Sequence, residues 1–349
     1  MKDYYTIDRI LAQHATYNIL LGQRANGKSY AVKRECVKEA YLGMGQLIYL
    51  RRWRMDLREN DVIDYFFDCP VAEITEGAYN KIDVYRKRIY LANMDQDGKI
   101  IRGPEIGRTA DLSGAEHLKS IIKRGEYKNV IYEEFCTNEG YLPNEPNRLM
   151  HLIATIFGHE NTGRVWLIGN TVSRVNPYFF TWQLKSVQKM SPGDLDLYRY
   201  KDGDSEITLA VEFCSTMQVE NNMFFGENAR NITTGVWETR SYPGIPEDFG
   251  KFHVAYMVYW EYKDYGFMLK VIENKKNEVI LLVTMEDQDS AKKDYVARWV
   301  SDRVDGAPLH TSKLINLTRG DIVVNELIKM GKIVYANNLT GSDFQAILK

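Results

Sequence analysis

Gly22, four further residues and then Gly27-Lys28-Ser29 complete the pattern G-x-x-x-x-G-K-[ST] at the end of the run Tyr17 to Ser29. Glycines let such a loop curl until its backbone N–H groups converge on phosphate oxygens, and the N-terminus of a following helix adds partial positive charge. The pattern assigns Lys28 to the β- and γ-phosphates of a nucleoside triphosphate such as ATP and Ser29 to Mg2+. Hydrolysis needs two further carboxylates, one for the metal and one for the attacking water. The run Asn129-Val130-Ile131-Tyr132-Glu133-Glu134 supplies both, with Glu133 assisting Mg2+ and Glu134 polarising the water. Asn170, at the end of another apolar run, suits a sensor of the γ-phosphate or the water. Arg24, inside the loop, either reaches the phosphates from the same subunit or is a surface arginine paired with an acid.

These groups work only if strands and helices deliver them to one edge. Tyr17 to Leu21 reads as a buried strand and Lys28 to Leu42 as the helix that follows the loop. Gln46 to Arg51 is a second strand, ending in the basic cluster Arg51-Arg52-Trp53-Arg54. A mixed helix follows over Asp56 to Phe67. Lys81 to Asn93 alternates polar and apolar residues and, with the turn signal Asp95-Gln96-Asp97-Gly98, predicts an antiparallel hairpin inserted into the core. Asn129 to Tyr132 and Val165 to Ile168 are further apolar strands, separated by a helix over Glu145 to Phe157 with Leu149, Leu152, Ile153 and Ile156 at helical spacing. Strands alternating with helices predict an α/β fold with a mainly parallel sheet between helices. Ligands of such sheets bind beyond the carboxyl ends of the strands, where Ser29, Glu133, Glu134 and Asn170 then fall.

The 349 residues favour more than one domain. An ATPase domain is predicted over 1–200, a turn-rich, Asn-rich lid or linker over 201–245, and a second α/β domain over 246–349. The last opens with three β-rich runs, Phe252 to Glu261, Phe267 to Ile272 and Val279 to Thr284, which read as an antiparallel meander. Helices near Ser290 to Val300 and Asp321 to Met330 and a strand over Lys332 to Tyr335 follow. Hydrophobic content of 44% with 26% charged residues fits a water-soluble globular chain. No run approaches the length of a membrane span and no signal-peptide core opens the chain, so an intracellular protein without a membrane partner is expected. The four cysteines lack C-x-x-C spacing and the six histidines form no ligand pair, which argues against disulfides and structural zinc. A net charge of −2 argues against constitutive charge-driven binding of nucleic acid, but not against a few local cations that touch a backbone and release it. Arg54 is the candidate for such a contact, with Arg51 and Arg52 open to internal pairing with acids. Lys119, Arg124 and Arg164 are candidates for a cation supplied across a subunit interface.

The loop Gly22-Gln23-Arg24-Ala25-Asn26-Gly27-Lys28-Ser29-Tyr30 resembles that of the DNA-packaging ATPases of phi29-type tailed phages, members of the additional-strand, catalytic-glutamate P-loop division. So do Tyr49-Leu50-Arg51-Arg52-Trp53-Arg54, Ile131-Tyr132-Glu133-Glu134-Phe135, and Gly169-Asn170 followed by Val175-Asn176-Pro177-Tyr178-Phe179. The likeness is good over about residues 5 to 185 and holds in outline beyond. It implies a homo-oligomeric ring, a pentamer, docked on the portal of an empty capsid in the host cytoplasm and driving double-stranded DNA inward. It also implies an RNase H-like, nuclease-derived C-terminal domain. In that frame Lys119 matches a lysine acting across subunits and Arg54 a basic residue facing the DNA channel. Two positions depart from the pattern. Glu133 stands where an Asp is usual, and Gly158 stands where the trans-acting arginine is expected, leaving that role to Lys119 or Arg164. No convincing acidic set accompanies Glu261, so docking rather than cleavage is expected of the C-terminal domain. Whether an accessory RNA joins the motor is not legible in the residues. A small-molecule phosphotransferase with Glu134 as base, and a nucleotide-gated scaffold without turnover, are the competing readings.

Overall fold

The computed structural model describes residues 4–115, 125–137, 140–158, 163–202, 205–215, 237, 242–262, 265–286, 297–301 and 318–348. Its first part is a nine-stranded sheet in the order β3-β4-β5-β2-β6-β7-β1-β9-β8. The strands are β1 (Tyr17–Leu21), β2 (Gln46–Arg51), β3 (Lys81–Tyr85), β4 (Arg88–Met94), β5 (Ile100–Asp111), β6 (Tyr127–Glu133), β7 (Arg164–Ile168), β8 (Leu195–Asp202) and β9 (Ser205–Phe213). From β5 to β9 in that order every pairing is parallel, and antiparallel strands flank both sides.

Alternation along the strands divides the apolar residues between two faces. Ile19, Leu21, Val130, Tyr132, Val165 and Leu167 pack on one side with α5 (Glu145–Phe157), through its Leu149, Leu152, Ile153 and Ile156. Leu20, Ile131, Trp166 and Ile168 pack on the other with α2 (Lys28–Tyr41) and α3 (Glu59–Phe66). Two short helices, α1 (Asp8–Leu11) and α4 (Val71–Ile74), lie on this side. A five-residue helix, α6 (Pro177–Thr181), follows β7 and sits on the α5 side.

Three expectations change. The stretch Lys81 to Asn93 is already a hairpin by itself, turning at Arg86-Lys87, while the Asp95–Gly98 turn opens the next strand, β5. No glycine or asparagine marks the first turn, so the pattern hid it. The boundary at residue 200 falls inside β8, and β9 pairs with β1, so the sheet extends to Phe213. Much of the predicted 201–245 lid lies outside the described residues. Finally, the end of the helix predicted near Ser290 to Val300 is a strand, Ala297–Ser301.

The C-terminal part is a five-stranded sheet in the order β13-β10-β11-β12-β14. Its strands are β10 (Phe252–Tyr262), β11 (Tyr265–Asn274), β12 (Val279–Met285), β13 (Ala297–Ser301) and β14 (Ile333–Tyr335). The first three form the expected meander; β13 lies parallel to β10 and β14 parallel to β12. Helices α7 (Arg319–Lys329) and α8 (Asn338–Leu348) cover it through Val324, Leu327, Phe344 and Ile347, and Val175 and Phe180 from the first part pack against the same core.

Candidate nucleotide site

The loop between β1 and α2 is shaped by two glycines. Gly22 has φ +141° and Gly27 φ +97°, conformations that side chains resist, and a Cβ on Gly22 would meet the Cys214 carbonyl at 3.2 Å. Lys28 turns back into the loop, its Nζ donating to Gln23 O at 2.5 Å and to Asn26 Oδ1 at 3.1 Å. The ammonium is buried, burial lowers its pKa, and among the described residues its hydrogen bonds go only to neutral oxygens. Asn26 Nδ2 is buried beside it without an acceptor among the described residues. A buried cation without a hydrogen-bonded carboxylate, next to an orphaned donor, fits a polyanionic ligand. The residues therefore suit the triphosphate that the pattern implies.

β7 lies between β1 and β6, so the strand bearing Glu133 is one strand removed from the loop, and both end on the same edge. The Glu133 carboxyl accepts a hydrogen bond from Tyr65 OH at 2.8 Å and lies beside the Ser29 hydroxyl. Burial raises its pKa, while the neighbouring Ser29 and Tyr65 hydroxyls and the nearby Arg51 and Lys28 charges oppose the rise. A serine hydroxyl and a buried carboxylate in contact, both of them oxygen donors, suit Mg2+. The ring of Tyr65, which holds the Glu133 carboxyl, stacks on Tyr49 with centroids 4.4 Å apart. The Lys33 ammonium lies 4.7 Å from the same ring and pairs with Asp68.

Glu134 follows the strand end with φ +55° and a side chain 64% exposed, its Oε2 accepting from Arg51 Nη2 at 2.7 Å. Its backbone is held from behind. Arg52 donates from Nη1 to Glu134 O at 3.1 Å and from Nη2 to Phe135 O at 2.7 Å. The guanidinium is anchored in turn on the buried Glu145. Arg51 and Arg52 thus pair internally.

A cavity of about 1150 Å3 opens over the loop, lined by Arg24, Lys28, Ser29, Tyr30, Glu133, Glu134 and Asn170, with Tyr4 to Asp8 along another wall. Gly169 N donates to Leu20 O at 3.0 Å, which sets Asn170 beside the loop strand. Arg24 is exposed at the mouth. Tyr5 N donates to Asn26 O at 3.0 Å and Tyr5 OH to Glu212 at 2.8 Å, bracing the loop from the N-terminal side. Tyr5, Tyr65 and the Arg52–Glu145 pair carried no sequence signal, because no motif spacing links them to the loop.

Two predicted cations stand apart. Arg164 opens β7 and pairs with Glu39 at the amino edge, about 16 Å from the site for a five-residue strand. It does not join the site on its own chain. Lys119 lies outside the described residues, as does Arg124. Gly158 caps the C-terminus of α5. Arg54 is exposed in the turn of 3-10 helix that follows β2.

A parallel sheet with this loop at its carboxyl edge, and a strand inserted before the acidic one, defines a P-loop nucleotide-binding protein of the additional-strand division. The chain belongs to the family of the Podovirus DNA encapsidation protein (Gp16), whose sequence model matches residues 2–222. The DNA packaging protein of Bacillus phage phi29 is 32% identical over 187 residues, 52% of this chain and 50% of that protein. That of Bacillus phage B103 is 31% identical over 175 residues, 49% of this chain and 47% of its own. The chain thus matches about half the length of these curated relatives. Among solved structures, the bacteriophage Phi-29 viral genome packaging motor assembly is similar in fold, with a TM-score of 0.53 at 19% identity over 99% of both chains.

Proposed function

We propose that this chain is the ATP-hydrolysing subunit of a ring motor that drives double-stranded DNA into a preformed capsid through its portal, in the host cytoplasm. The reading rests on one observation above all: Ser29, Glu133 and Glu134 line one cavity at the carboxyl edge, with Lys28 buried beside them. Lys28 and the loop N–H groups hold the phosphates, Ser29 and Glu133 hold Mg2+, and Asn170 orients the attacking water. Bound Mg2+ supplies charge neutralisation at the phosphates. Glu134 takes the water's proton, which requires its carboxylate to leave Arg51. Arg24 reaches the phosphates in cis and Lys119 those of a neighbouring subunit, since Arg164 is committed to Glu39. Arg54 touches the DNA backbone. The names of the two Bacillus phage relatives support the DNA cargo. The nuclease-derived C-terminal domain docks on portal or capsid; its Asp321 is spent on a helix cap and its Asp343 on Arg174.

The test is Glu134→Gln. ATP binding should survive while hydrolysis falls by at least about 100-fold, the scale of a lost general base. In the unaltered protein, hydrolysis should rise when double-stranded DNA and portal-bearing capsids are added together. Unchanged turnover in Glu134→Gln would overturn the assignment.

A further inference from the structure

The β3–β4 turn is made of residues that its shape disfavours. Tyr85 pairs with Arg88, leaving Arg86 and Lys87 as a two-residue turn with φ +49° and +63°. Two consecutive positive φ values are the requirement of a type I′ turn, which Asn-Gly meets with least strain. Neither head group repays the strain locally. Both side chains are exposed, and neither makes an ion pair or side-chain hydrogen bond among the described residues. Arg86 only rests on the Tyr85 ring, 5.0 Å from its centroid. A local rule broken without local compensation points to a task elsewhere.

The turn lies on the sheet edge that carries the phosphate loop. Thr109 N donates to Lys87 O at 2.9 Å, two residues before β5 ends, and β5 runs parallel to β2 with Asp111 opposite Arg51. Arg86 N donates to Glu59 Oε1 at 2.7 Å, which brings the turn against the residue next to Arg58 and five residues past Arg54. The Glu59 carboxylate is thereby engaged by backbone. Arg54 and Arg58 are exposed like the turn cations.

We propose that Arg86 and Lys87 extend the Arg54–Arg58 surface into one grip on the sugar–phosphate backbone of duplex DNA. This rests on the translocase reading above. Duplex DNA, with a phosphate charge for each ~1.7 Å of axis, suits cations spread along an edge without shape-specific pockets.

The experiment uses the full-length chain and fluorescence anisotropy with a labelled DNA duplex over a series of salt concentrations. Arg86→Asn/Lys87→Gly supplies the residues that the turn favours. It should raise the melting temperature by about 2–4 °C while weakening DNA binding. Two lost phosphate contacts should make the slope of log affinity against log salt shallower by about 2. Arg86→Gln/Lys87→Gln, which keeps the strained backbone and removes only charge, should show the same loss. Binding and slope equal to the unaltered protein in both variants would overturn the proposal, and so would a loss confined to duplex RNA of equal length. Arg54→Ala separates the two readings. If Arg54→Ala weakens binding and the turn variants do not, only the turn assignment fails; if the unaltered chain binds no duplex DNA, both fail.

Discussion

Glu145→Gln probes the support behind the catalytic edge. Glu145 begins α5, is fully buried, and its carboxylate accepts from Arg52 Nε at 2.8 Å, Arg52 Nη2 at 3.0 Å, Tyr132 OH at 2.7 Å, Tyr178 OH at 2.9 Å and Leu142 N at 2.8 Å. The amide keeps the volume but replaces one acceptor oxygen with a donor that faces other donors. It also leaves the buried Arg52 charge without its partner, a defect that costs about 3–5 kcal/mol. That is a large share of the roughly 5–15 kcal/mol by which a domain is stable. Urea denaturation followed by tryptophan fluorescence should therefore show a loss of about 4 kcal/mol. The double variant Arg52→Met/Glu145→Met removes both charges, which for an isolated buried pair restores most of the stability. Here Tyr132 OH, Tyr178 OH and Leu142 N would still lack an acceptor, at about 1–3 kcal/mol for each unsatisfied group, so the double variant should stay at least ~3 kcal/mol below the unaltered protein. Hydrolysis should fall beyond what unfolding explains, because Arg52 also holds the carbonyls of Glu134 and Phe135. A loss under about 1 kcal/mol for Glu145→Gln, or full recovery in the double variant, would refute the reasoning.

Tyr65→Phe removes the hydroxyl that donates to Glu133 and leaves the stacked ring in place. Nucleotide affinity with Mg2+ should drop roughly tenfold, the low end for a group that orients a metal ligand, while affinity without Mg2+ stays put; equal losses in the two titrations would rule this out. Asp321 offers a pH test in the C-terminal domain. Burial alone would raise its pKa, but hydrogen bonds from the Thr318 backbone and hydroxyl, Tyr256 and Trp299 outweigh it and hold the carboxyl below the ordinary aspartate value. A depressed folded pKa means that the unfolded state binds more protons as pH falls. The stabilisation is therefore complete above the unfolded value and fades through the folded one. Asp321→Asn should cost about 1 kcal/mol near neutral pH and less as pH drops through the aspartate range. Urea midpoints across that range check this, and a constant gap would count against it.

What the sequence revealed was what chemistry or periodicity encodes within a dozen residues. The phosphate loop, the strand ending in Glu133-Glu134 and the α5 helix are of that kind, and the structure brings Ser29, Glu133, Glu134 and Asn170 to one cavity. The Arg86-Lys87 turn was invisible because its residues contradict its conformation. The strand β13 was read as helix because its context, not its composition, pairs it with β10. Arg52 was known to be basic, but its partner Glu145 lies 93 residues on, and only folding makes them neighbours. Tyr65 stands 68 residues before Glu133 and carries no motif at all.

The Val175-Asn176-Pro177-Tyr178-Phe179 segment shows how a run that looks like a family signature is built from separate physical demands. Asn176 Oδ1 accepts from Tyr178 N at 2.9 Å, capping α6, while its Nδ2 donates to Cys136 Sγ at 3.3 Å, two residues past Glu134. Pro177 suits the first helical position, where a missing N–H costs nothing. Tyr178 OH reaches Glu145, so the same carboxylate that fixes Arg52 also fixes this helix. On the far side Phe180 meets Tyr262 and Tyr265 edge-on, with centroids 6.1 Å and 5.7 Å apart, and Arg174 pairs with the buried Asp343 at 2.7 Å. The segment follows Asn170 of the nucleotide cavity by five residues and is bolted both to the strand end that carries Glu134 and to the C-terminal sheet. A helix of five residues has little stability of its own, so these anchors hold it in place. Asn176 and Tyr178, and the flanking Arg174 and Phe180, answer to different partners, and for that reason none of these four has a conservative substitution.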